Sequence, residues 1–185
     1  MKKIMFNDKF GLTKAVLEGR KTQTRRIVLE RYTNMIQDIK NRLISSNKTK
    51  EQINSALSEL GIIISPYKVG EIVAIAQSYK DCGADAYYWL QTPGWTNKMF
   101  VKANLMPHYI KIERVRVERL QDISKEDCLK EGVCQVSEGR YKIDGLNYIG
   151  YNPIAVYSLL IEKISGKGTW YKNPFVFVYD FALID

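Results

Sequence analysis

The chain has 185 residues, 45% of them apolar and 26% charged, and a formal net charge of +8. These proportions sit near the globular average, which excludes a disordered, collagen-like or disulfide-stapled chain, and the length predicts one domain with its own core. No apolar run approaches the roughly 18 residues of a membrane span. The N-terminus turns polar at Asn7-Asp8-Lys9 before a signal core forms. Three cysteines without CxxC spacing (Cys82, Cys128, Cys134) and a single histidine, His108, argue against a zinc site. A soluble cytoplasmic protein without metal or cofactor is expected.

In chain order, Phe10 to Gly19 predicts a short helix with Leu12, Ala15 and Val16 on one face and Gly19 ending it. The basic segment 20–26 comes next as a loop or edge strand. Residues 31–45 and 49–60 predict two helices, the second capped by Thr49 and stopped by Gly61. A turn at 67–71 leads into a strand over Ile72–Tyr79. Residues 80–99, rich in Gly, Pro, Asp and aromatic side chains, predict an irregular loop. There Tyr87, Tyr88, Trp89 and Trp95 either stack on a nucleobase or plug the core, with the core favoured.

Residues 109–120 alternate apolar and charged with one slip near Glu113-Arg114, the mark of a strand with a bulge. Ser124 is placed to cap a short helix that Gly132 ends. A helix over 153–164 is expected to bury Ala155, Leu159, Leu160 and Ile164. The aromatic and β-branched run Phe175–Ile184 predicts a buried final strand. Helices and strands in irregular order predict an α+β fold with a small mixed or barrel-like sheet.

Charge is concentrated at one end. Residues 1–60 carry 13 basic and 6 acidic side chains, and Arg20, Lys21, Arg25 and Arg26 fall within seven residues. Such a run repels itself unless an anion or a counter-charge lies beside it. Phosphate fits guanidinium forks, so Arg20, Arg25 and Arg26 are candidates for a phosphate or RNA backbone. A solvated basic loop is the competing reading.

The segment Gly19-Arg20-Lys21-Thr22-Gln23-Thr24-Arg25-Arg26 resembles the GxKxxExR signature of the ASCH family, with Gly19, Lys21 and Arg26 in register. The run Leu120–Gly132, the turn Tyr67–Val73 and the strand Phe175–Ile184 resemble further pieces of that family in the same order. The resemblance covers about half the chain and implies a PUA-like small β-barrel. Helical and irregular insertions at about 31–60, 80–100 and 133–172 have no counterpart in the shorter relatives. The longer architecture, with Gly166-Lys167-Gly168-Thr169-Trp170, resembles phage and prophage members.

Thr24 stands where many members carry Glu. A bacterial branch with Thr there hydrolyses N4-acetylcytidine, and its Lys, Thr and Glu set falls on Lys21, Thr24 and Glu131. The resemblance therefore implies a binder of RNA or of a modified pyrimidine nucleoside. Alternatively it implies a metal-independent amidohydrolase in which Lys21 activates Thr24 and Glu131 binds the base or shuttles a proton. That second role needs a neutral lysine, whose ordinary pKa of about 10.4 must fall far; neighbouring cations and burial push it down while Glu131 holds it up. A plain Lys21–Glu131 ion pair tying loop to helix is the structural alternative. Contacts with a protein partner remain a third reading.

Overall fold

The computed structural model describes residues 1–184. Its main sheet has five strands, β1 (Lys3–Ile4), β2 (Gln23–Ile27), β3 (Ile72–Ile75), β4 (Tyr109–Arg119) and β8 (Phe175–Ile184), in the order β1-β3-β4-β8-β2. Between β4 and β8 the chain forms a small sheet of β5 (Cys134–Ser137), β6 (Arg140–Lys142) and β7 (Ile149–Gly150). The helices are α1 (Leu12–Leu17), α2 (Glu30–Ser45), α3 (Lys50–Ile64), α4 (Ala86–Trp89), α5 (Lys125–Lys130), α6 (Pro153–Ile164) and α7 (Thr169–Lys172). The fold is α+β, and no helix among the described residues is long and apolar enough to cross a membrane.

The sheet does not close into the expected barrel: β1 and β2 are its two edges and do not pair with each other. They nonetheless approach, because Arg26 on β2 donates a hydrogen bond to the carbonyl of Met5, the residue after β1. The chain leaving β1 thus lies opposite the free edge of β2, with a slot between them.

β4 organises the two faces. Ile110, Ile112, Val115 and Val117 are all buried, although the two pairs are out of phase by one residue. The ladder with β8 shifts register between Ile112 and Arg114, so a bulge at Glu113 restores the apolar phase. The other face carries Arg114, Arg116 and Glu118 opposite Asp180, Val178 and Val176 of β8. One face is therefore core, and the other presents charge to α5.

Four expectations change. The third helix runs on through Gly61 to Ile64, because Gly61 is where the helix touches the sheet: a Cβ there would lie 2.8 Å from Val117 Cγ2. The strand expected over Ile72–Tyr79 stops at Ile75. On α6 the buried side chains are Val156, Tyr157, Leu160 and Ile161, while Ala155, Leu159 and Ile164 are exposed. That helix is apolar all round, so spacing alone could not select its inner face. The 80–99 aromatics divide: Trp89 packs on Tyr79 at 4.4 Å between ring centroids, and Trp95 joins the same cluster. Tyr87 and Tyr88 are exposed.

Gly61→Ala tests the helix–sheet contact. Alanine gains about 1 kcal/mol of helix propensity. Overpacking against a β-branched side chain costs about 1–3 kcal/mol. Urea unfolding is expected to show a net loss, whereas a gain would mean that α3 is not seated on β4 at Gly61.

Candidate functional site

After α1 the chain turns at Gly19, whose φ of +70° suits glycine, and two backbone bonds pin the basic segment beyond it. Lys21 N–H donates to Ala15 O (2.9 Å) and Thr22 N–H to Lys130 O (3.0 Å), wedging the segment between α1 and α5. Glu131 is the last residue of the α5 turn, and Gly132, at φ +106°, ends it.

Lys21 is 2% exposed and Glu131 3%. Lys21 Nζ donates to Glu131 Oε2 (2.6 Å), Glu131 O (2.9 Å) and Gln23 O (2.6 Å), which occupies all three ammonium protons. A carboxylate at a helix C-terminus opposes the helix dipole, so the cation also answers that end of α5. Burial drives the Lys21 pKa below its ordinary value, while Glu131 acts in the opposite direction and the cations Arg26 and Arg25 reinforce the fall.

The second Glu131 oxygen, Oε1, accepts from Arg25 Nη1 at 3.1 Å. Arg25 Nη2 also pairs with Glu118 Oε1 (2.5 Å) and Asp127 Oδ2 (2.9 Å). Arg116 completes the array, meeting Glu118 Oε2 (3.0 Å), Asp127 Oδ2 (2.8 Å) and Asp180 Oδ2 (2.8 Å). Gln23 Nε2 donates to Asp127 Oδ1 (3.1 Å) and Asp180 Oδ1 (2.6 Å). The network joins β2, β4, β8 and α5. Burial opposes the Arg25 charge, but Glu131 and Glu118 outweigh it and raise its pKa further. At Asp127 burial likewise opposes ionisation, yet hydrogen bonds from Arg25 and Gln23 and the charge of Arg116 lower the pKa.

The counter-charges to the basic run are thus largely the protein's own. Arg20 is exposed and held by Glu18 (2.6 Å), with a further hydrogen bond to Cys134 Sγ (3.1 Å). The Arg25 side chain is 1% exposed and faces three carboxylates, so its guanidinium serves the network and not a solvent-side phosphate. Arg26 alone of the four has no carboxylate partner among the described residues. It contacts the Met5 carbonyl and the Phe6 ring (5.9 Å), and its buried Nε has no hydrogen-bond partner.

The slot beside β2 is a cavity of about 630 Å³. Lys21, Thr24 and Glu131 all line it, with Arg25, Arg26 and Ile27. Residues Thr24–Ile27 alternate between the two faces of β2, so a cavity lined by all four runs along the free edge of the strand. The hydrogen bonds Val28 N to Phe175 O and Phe181 N to Thr22 O turn the even-numbered residues toward β8. The N–H and C=O groups of Arg25 and Ile27 therefore face the open side. The far wall is Met5 to Lys9, with Asn97, Lys98 and Met99, and α6 adds Tyr157, Leu160 and Ile161. Two of the segments expected as insertions, 80–100 and 133–172, thus contribute residues to the cavity wall, and 31–60 contributes none. Lys98 fastens one wall by its ion pair to Asp8 (2.7 Å).

Thr24 is 5% exposed, and none of the hydrogen bonds at the site involves its hydroxyl. The structure brings the three residues to one cavity without joining Lys21 to Thr24. Sequence reasoning missed Asp127, Glu118, Arg116, Asp180 and Tyr157. Only Asp127 carried a local signal, four residues before Glu131 and so on the same helix face. No family model matches the chain, and no curated protein or solved structure is similar to it at a significant level.

The network yields two tests. Lys21→Met leaves a buried carboxylate short of its counter-charge and is expected to cost about 3–5 kcal/mol in urea unfolding; adding Glu131→Leu should restore most of it. A double variant no better than the single one would place the cost elsewhere. The second test concerns acid. A carboxyl whose pKa is lowered on folding stabilises the fold above its unfolded value of about 3.9, and that contribution is lost as pH falls through the lower folded value. Asp127→Asn should be less stable at neutral pH and should flatten the acid limb of the stability profile. An unchanged acid limb would remove Asp127 from the ionised network.

Proposed function

We propose that the cavity receives a pyrimidine base, presented by a free modified nucleoside or by an unstacked RNA residue. The observation that carries the reading is the cavity along the open β2 edge. Its volume of about 630 Å³ lies within the range of roughly 300–1,000 Å³ typical of small-ligand sites. Apolar side chains make much of its wall, with Lys21, Thr24, Arg26 and Glu131 beside β2 and Asn7, Asp8, Lys9, Asn97 and Lys98 on the far wall. A strand edge with free N–H and C=O groups suits the alternating donors and acceptors of a base edge, as unstacked RNA bases are read elsewhere. Arg26, lacking a carboxylate partner, is the cation best placed for a phosphate or another anionic group. The curled sheet with facing edges, together with the signature at 19–26, supports reading the fold as an opened PUA-like barrel of the ASCH type.

A second reading is hydrolysis of an N4-acyl amide, favoured by Lys21, Thr24 and Glu131 all lining the one cavity. In that reaction Thr24 Oγ1 attacks the acyl carbon as its proton passes to Lys21, the C–N bond breaks with protonation of the departing cytidine nitrogen, and water releases the acyl group from Thr24. Lys21 must first become neutral. A proton shift to Glu131 across the 2.6 Å contact would do so without changing the net charge. The lysine must then turn from its present acceptors toward Thr24.

The two readings separate in one set of measurements. Titration with cytidine, N4-acetylcytidine and a short single-stranded RNA should show binding, and Arg26→Ala should weaken the RNA and reduce its salt slope by about 0.7. Chromatography of the same mixtures reports cytidine release. Turnover that disappears in Thr24→Val while binding persists would establish the hydrolase, and turnover surviving in that variant would exclude Thr24 as nucleophile. Absence of binding to all three probes would overturn the base-recognition reading.

A further inference from the structure

Tyr157 lines the cavity from α6. The residue keeps 1% of its surface, and Trp170 meets its ring edge-on at 6.4 Å. No hydrogen bond among the described residues engages its hydroxyl. Three side-chain atoms are both sealed from solvent and unpartnered, namely Arg26 Nε, Gln77 Oε1 and Tyr179 Oη. The Tyr157 hydroxyl is not one of them, and the residue is part of the cavity lining. A buried hydroxyl without a partner is costly to maintain, and a role in binding is one way a fold recovers that cost.

Burial raises the Tyr157 pKa well above its ordinary value, and the Glu131 carboxylate raises it further against the opposing charge of Arg25. The group therefore stays protonated and offers one fixed O–H donor. A neutral donor beside Leu160 and Ile161 suits an uncharged oxygen better than phosphate. We infer that the Tyr157 hydroxyl is a specificity determinant of the cavity, donating its proton to a carbonyl oxygen of the bound ligand, either on the pyrimidine ring or on its acyl group. This inference rests on the base-recognition reading.

Tyr157→Phe in the full chain removes that oxygen and little else. Since the hydroxyl has no partner within the protein, the thermal midpoint should hold or rise, and a fall of several degrees would overturn the inference by making the group structural. In calorimetric titration with cytidine and with N4-acetylcytidine, the variant should bind at least one of them about tenfold more weakly, as expected for one lost hydrogen bond in a dry site. Loss for N4-acetylcytidine alone would assign the donor to the acyl carbonyl, and loss for both would assign it to the ring. Unchanged affinity for both overturns the inference while leaving base recognition standing. Failure of the unmodified protein to bind either probe overturns both together.

Discussion

The Glu131 carboxylate is shared by two buried cations, and the position of β2 depends on it. One oxygen takes Lys21 and the other Arg25. These contacts fix the segment before β2 and the strand itself against the end of α5. Neither cation could be buried there alone, since an unpaired interior charge is among the costliest defects a fold can carry. Asp127, one turn earlier on α5, extends the same logic to Arg116 and so to β4. The array holds a strand, a helix end and the polar face of the sheet in register through hydrogen bonds of fixed geometry.

This arrangement changes the meaning of the basic run. Four cations in seven residues invite an external anion, but the protein answers Arg20 with Glu18, Lys21 with Glu131, and Arg25 with Glu118, Asp127 and Glu131. Arg26 is left, at the cavity. Within the run, the cations without a carboxylate partner thus shrink to one, and that one lines the cavity.

An unpaired strand edge is a liability that folds blunt or cover. Here β2 is covered at a distance. The chain after β1, the 97–99 turn and α6 stand around its free edge and leave a slot between them. The ion pair from Lys98 to Asp8 and the bonds from Lys3 Nζ to the carbonyls of Met99 and Val101, both 2.7 Å, hold that surround in place. Binding and catalysis make different demands on the same wall. A binder can keep Lys21 charged and engaged as it stands, whereas a hydrolase must free it. The buried pair at 2.6 Å is the element on which that difference turns.

Along the chain, the legible features were those that neighbouring residues settle between themselves. Thr49 and Ser124 cap their helices, Gly132 ends α5 with a positive φ, and the slip at Glu113 is a bulge, because caps, left-handed turns and strand alternation are decided within a few residues. The basic segment 19–26 pointed to Lys21, Thr24 and Arg26, and all three line the cavity. Other features needed the fold. Gly61 reads as a stop but is a contact with Val117, and α6 offers apolar residues on every side, so only its neighbours decide that Tyr157 faces inward. The acids that answer Arg25 lie about 90 to 110 positions away along the chain, on β4 and α5. The sequence by itself determined the helix caps, the bulge and the α+β class. Tertiary structure alone decided which cations are neutralised and which strand edge stays open, because both depend on contacts between segments far apart in the chain, and no local pattern encodes those.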